Sequence, residues 1–169
     1  MKILCRQDFL RRKINRGFEG LARQGAKLYA FLEQPLMRSP TSSAPAPGDL
    51  VIRVAEYDTR LNAATGMYLY LLDNRMQELK VSDAAAVADG SFLVIEQRST
   101  LGPDGAFRKV YQARIPGKTT NLLRRADLDL NGIDELEPDQ LAQRGIQVMS
   151  KDLVVDLAKI GYTFSRKVE

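Results

Sequence analysis

The chain has 169 residues, 44% of them apolar and 27% charged, with 7 Pro; that is the make-up of a globular chain of about one domain and not of a disordered one. It carries no histidine and one cysteine, which excludes Ser-His-Asp and Cys-His nucleophile systems, His-bearing zinc sites and an internal disulfide. Its longest apolar runs, such as Met67 to Leu72 and Phe92 to Ile95, fall far short of the roughly 20 residues of a membrane-spanning helix.

The formal charge of +4 is concentrated at the start of the chain. Residues 1–17 form a basic arm holding Lys2, Arg6, Arg11, Arg12, Lys13 and Arg16 against Asp8 alone. Such an arm can meet nucleic acid or anionic lipid, but Phe9 is its single aromatic, and solvated charge is the commoner explanation. Cys5 sits among these cations and reads as an incidental thiol. The opening MKILCRQDF offers only Ile3 to Cys5 before Arg6, so this stretch holds no secretory core of about 7–15 apolar residues.

Beyond the arm, short apolar or alternating runs predict strands at residues 18–23, 27–33, 50–57 and 67–73, then at 82–88, 91–97, 107–115 and 152–158. Turn chemistry separates them: Gln24-Gly25, Pro47-Gly48-Asp49, Ala64-Thr65-Gly66, Asp89-Gly90, the Gly102 to Gly105 stretch and Pro116-Gly117. Asp89-Gly90 predicts a tight hairpin. Residues 39–47, SPTSSAPAP, are too poor in large apolar side chains to pack and predict a surface loop between adjacent strands. Residues 137–144 predict one or two turns of helix, with Pro138 at a first helical position and Gly145 as the stop.

The runs repeat. At a shift of 63, Tyr29-Ala30-Phe31-Leu32-Glu33-Gln34 falls on Phe92-Leu93-Val94-Ile95-Glu96-Gln97, and an acid precedes each copy, Glu19 ahead of Gly25 and Asp83 ahead of Gly90. Four antiparallel strands per repeat are what a β-propeller blade requires. The expected fold is all-β: an incomplete β-propeller of about two four-stranded antiparallel blades, residues 18–73 and 82–158 of a partial propeller domain spanning 18–169, with a short helical insertion. Two blades leave sheet faces and strand edges to be covered by further blades or another chain.

Asn15-Arg16-Gly17-Phe18-Glu19-Gly20-Leu21-Ala22, followed by Leu28-Tyr29-Ala30 and Gln34-Pro35-Leu36, resembles the phytase-like family, described as having esterase-like activity of phytase. The likeness continues through Arg53 to Asp58, Tyr68 to Asp73, Val81-Ser82-Asp83, Asp89 to Glu96 and Arg98-Ser99, and spans roughly residues 15–169. It implies a propeller, normally exported by bacteria to the periplasm or beyond, that hydrolyses phosphate or other small-molecule esters. It also implies a longer whole domain, in which Val168-Glu169 opens a further blade.

In a propeller the first strand of each blade faces the central channel, which places Glu19 and Asp83 near the axis as catalytic carboxylates. Alone they repel a phosphorylated substrate; with calcium between them they become metal ligands, because a hard cation takes six to eight oxygens and bridges to phosphate. Arg53 and Arg98 are candidates for pairing phosphate oxygens, and Glu96 for orienting Arg98 or acting as general base. The structural alternative is that Glu96 and Arg98 tie neighbouring blades together, and that Glu19 and Asp83 accept backbone N–H groups at a blade start. Tyr70, in an alternating strand, reads as packing. Asp127, Asp129 and Asn131 match the first ligand positions of a calcium loop closed by Gly132, yet position 12 is Pro138, so an Asx-rich turn competes with a weak calcium site. The chemistry therefore divides between an ester hydrolase and a non-catalytic binding or assembly module. The module predicts closed blade-to-blade pairs and no vacant cleft.

Overall fold

A computed structural model describes residues 8–39, 48–76, 78–98, 107–128, 130 and 132–162. Among these residues eight strands form, β1 (Phe18–Gln24), β2 (Lys27–Leu32), β3 (Val51–Asp58), β4 (Ala63–Leu71), β5 (Leu79–Ala88), β6 (Ser91–Arg98), β7 (Arg108–Arg114) and β8 (Ser150–Asp156), with one α-helix, α1 (Pro138–Gln143), between the last two. They make two four-stranded antiparallel sheets, ordered β1-β2-β3-β4 and β5-β6-β7-β8. The fold is all-β, an incomplete propeller of two blades. Among the described residues no helix is long and apolar enough to cross a membrane.

Strand limits depart from the sequence expectation where a turn is tighter than its composition suggests. β4 begins at Ala63, ahead of the predicted 67, because Asp58 Oδ1 accepts the Arg60 and Leu61 amides (2.8 and 3.0 Å) and Asn62 adopts φ 50, closing the β3–β4 connection early. The helix lies where Pro138 and Gly145 placed it: the Glu137 amide donates to Gln140 Oε1 (2.9 Å), and Gly145 at φ 69 ends it. Of the predicted loop at 39–47, residues 40–47 lie outside the described residues; it joins β2 to β3, which are neighbours in the sheet.

Strand alternation sends Tyr29, Phe31, Ile52, Val54, Tyr68 and Tyr70 to one face of the first blade, where they meet Val81, Ala84, Phe92, Val94 and Ala113 of the second in one core. Phe92 sits edge-on to both Tyr29 and Phe31, with ring centroids 4.8 and 5.5 Å apart. The innermost strands β1 and β5 run side by side so closely that a Cβ on Gly20 would lie 2.8 Å from the Ala84 Cβ and 2.9 Å from its amide nitrogen. Gln24 stitches the hairpins, accepting the Gly90 amide (2.9 Å) and donating to the Ser91 carbonyl (3.1 Å).

The shift of 63 seen in the sequence is out of phase with the blades. Tyr29 and Phe92 correspond at that shift, yet they point at each other across the interface. In stacked blades, equivalent residues face the same way. Counting from the paired ends Gln24↔Lys27 and Ala88↔Ser91 gives a shift of 64, which carries Tyr29 to Leu93 and Phe31 to Ile95, on the outer face of the second blade. The two Glu residues of the repeated motif are therefore not equivalent: Glu96 shares a strand face with Phe92 and Val94, whereas Glu33 lies just past the end of β2 beside Lys80.

The other face of the first blade is not bare. The insertion between β7 and β8 folds back over it, packing Leu122, Ile133, Leu141 and Ile146 on Val51, Met67 and Leu69. It also occupies the outer edge of β4: Asn121 Oδ1 accepts the Met67 amide (3.2 Å), its Nδ2 donates to Thr65 O (2.9 Å), and the Met149 amide donates to Leu69 O (2.8 Å). Unpaired edge groups are satisfied here without another strand. The described part of the basic arm docks too, Arg11 on Asp134 (2.8 Å), Arg16 on Glu33 (2.6 Å) and Lys13 on Glu78 (3.4 Å).

Candidate functional site

A cleft of about 710 Å³ opens beside the inner strands, within the size range of small-molecule sites. Each inner strand bulges at its rim. In β1, Phe18 pairs with Leu32 and Gly20 with Phe31, leaving Glu19 as the extra residue; in β5, Val81 pairs with Glu96 and Asp83 with Ile95, leaving Ser82. A bulge re-aims the side chains around it. Glu19, Ser82 and Asp83 all line the cleft, with the two acids exposed, and Asp83 Oδ1 accepts the Ala84 backbone amide (2.7 Å), as its structural alternative expected.

Three cations share it. Lys80, Gln97 and Arg108 form one cross-strand row on the outer face of the second blade, and Arg16 reaches in from the arm. Glu33, just past β2, is fully buried between them: its Oε1 accepts from Arg16 Nη1 and from Lys80 Nζ, both at 2.6 Å, while its Oε2 has no hydrogen-bond partner among the described residues. Ser82 Oγ is likewise buried without one. Ile95, Leu157 and Tyr162 complete the wall.

Of the residues singled out from sequence, Glu19 and Asp83 therefore line one cleft, and the others among the described residues lie elsewhere. Glu96 is on the opposite face of its sheet, fully buried, accepting from the Tyr70 hydroxyl, the Lys151 ammonium and the Asp73 amide (2.8 Å). Lys151 Nζ lies 4.2 and 4.9 Å from the ring centroids of Tyr111 and Tyr70. Burial pushes this ammonium below its ordinary value, against the opposing pull of Glu96 and Asp73. Burial, then the Glu96 charge, pushes the Tyr70 phenol far up. This cluster binds the blades together.

Arg53 is also enclosed. Its Nε and Nη2 donate to the two oxygens of Asp134 at 2.7 and 2.8 Å, closing on a carboxylate the fork that was expected to take phosphate. Arg98 pairs with Leu79 on the Glu96 face, half-buried, and its amide donates to Phe107 O (3.0 Å). Asp127 is held by both nitrogens of the Arg125 fork (2.8 and 2.7 Å), which keeps its carboxyl below the usual range; Asp129 and Asn131 lie outside the described residues. Among the described residues no three His, Cys, Asp or Glu side chains gather as metal ligands. Glu19 and Asp83, flanked by three cations, offer at most about four of the six to eight oxygens calcium takes, the rest falling to water or substrate.

The sequence reading missed Arg16, Lys80, Arg108, Glu33 and Ser82. Lys80 and Ser82 had a signal: they precede and follow Val81, and starting the strand at Leu79 would have put Lys80 opposite Val81, on the cleft side.

A family model with the description "Esterase-like activity of phytase", the phytase-like family, matches residues 4–169. No curated protein and no solved structure gives a significant match.

Proposed function

The chain belongs to the phytase-like family, and from that premise we propose that it is a propeller hydrolase of phosphate or other esters whose substrate sits in the cleft. The observation that carries the reading is the convergence of Glu19 and Asp83 with Arg16, Lys80 and Arg108 on one opening. Hydrolysis consumes one water per ester, forming the new bond to phosphorus or carbonyl carbon and breaking the bond to the alcohol. The cations would offset charge gathering on the ester oxygens. Glu19 and Asp83 would move the protons, one from the attacking water and one to the leaving oxygen.

The test is release of 4-nitrophenol from its phosphate and acetate esters by the purified chain. Replacing both acids, Glu19→Gln with Asp83→Asn, should lower kcat/KM by about 10²-fold or more. A folded wild-type protein that turns over neither ester, with or without added calcium, would sink the reading. A calcium-assisted form of the reaction predicts loss of turnover in a chelator, and a side-chain form predicts survival.

A second reading, a binding or assembly module, has its own support in the closure of Glu96 and Arg53 into buried structural contacts, while the open cleft departs from the closed surface expected of it. It predicts saturable binding of inorganic phosphate with no turnover.

A further inference from the structure

We propose that the cleft selects a phosphoryl group that still carries a proton and rejects sulfate, and that Glu33 is the residue that discriminates. The inference rests on the cleft being the substrate seat. Glu33 is fully buried, with one oxygen fastened by Arg16 and Lys80 and the other unpartnered. A buried acceptor without a donor is costly, so the donor that suits it best is brought by a ligand. Arg16, Lys80 and Arg108 put positive charge along the cleft wall, opposed by the exposed carboxylates of Glu19 and Asp83, and a phosphoryl group lying on the cation side reaches Glu33 first. An anion with no hydrogen would set its oxygen against the Glu33 carboxylate, whereas a P–OH group donates to it and turns repulsion into a charge-assisted hydrogen bond. The unpartnered Ser82 hydroxyl can donate to a second phosphoryl oxygen. Sulfate matches phosphate in size and shape but is fully deprotonated at neutral pH. Inorganic phosphate keeps a proton there, and a phosphate monoester loses its last one near pH 6.

The experiment is calorimetric titration of the whole chain with inorganic phosphate, sulfate and phenyl phosphate between pH 5 and 8. Phosphate should bind at least about tenfold tighter than sulfate, and phenyl phosphate should weaken as pH rises through about 6. Glu33→Gln, whose amide can donate to sulfate, should erase most of that preference. Equal wild-type affinities for the two anions would overturn the proposal, as would a folded Glu33→Gln protein that keeps the preference. If the variant does not fold, the pH dependence of the wild type decides. Ester turnover without anion preference would refute this inference alone, and anion preference without turnover would refute only the hydrolase.

Discussion

Glu56 is a case where burial and hydrogen bonding pull one carboxyl in opposite directions. Burial raises it, but Thr65 Oγ1 (2.6 Å), Lys27 Nζ (2.9 Å) and the Tyr68 hydroxyl (3.0 Å) stabilise the charged form, and the net shift is downward. The Tyr68 phenol is pushed up to about 12, first by burial and then by the Glu56 charge. A carboxyl lowered on folding stabilises the native state above its unfolded value and loses that contribution as pH falls through the folded one. A raised phenol contributes fully below about 10, its unfolded value, and loses its contribution by about pH 12. Urea unfolding followed against pH should therefore show stability declining below about pH 4.3 and again above about 10. Glu56→Gln should flatten the acid limb and reduce the alkaline one; an unchanged acid limb would assign it to other carboxylates.

Between elements, the tightest constraint is the approach of β1 to β5. Because the nearest atoms to a Gly20 side chain belong partly to the Ala84 backbone, no rotamer change relieves them. Gly20→Ala should cost about 1–3 kcal/mol, read as a lower urea midpoint at unchanged slope; a neutral result would mean the blades slide apart without cost. The strands themselves were legible because their limits are local: Gly25 and Gly90 take positive φ at the hairpins, and apolar runs lie between. Blade phase was not. Glu33-Gln34 and Glu96-Gln97 look equivalent, but one residue of offset reverses the face of a strand, and only the pairing register reveals it. The site divided in the same way. Glu19 and Asp83 could be read from their places ahead of the hairpins, whereas Glu33 and Lys80 acquire meaning only when β5 is laid beside the end of β2, 47 residues away in the chain.

Across the whole molecule, Asp134 gathers Arg53 from the first blade and Arg11 from the arm into one buried contact. Removing Arg53 takes both fork hydrogen bonds from the buried Asp134 and leaves it to the partly exposed Arg11. Arg53→Ala should therefore destabilise by about 3–5 kcal/mol, with arm, insertion and blades unfolding in a single transition by circular dichroism and fluorescence. Separate transitions would show that the contact is local. The same insertion gives the stack a finished end. Seating another sheet against the outer side of the first blade would require prising Leu122, Ile133, Leu141 and Ile146 off it, a penalty on the order of 10 kcal/mol at roughly 1.5–3 for each large side chain. Among the described residues no buried apolar cluster of that kind lies on the far side of the second blade, so growth of this architecture has a direction.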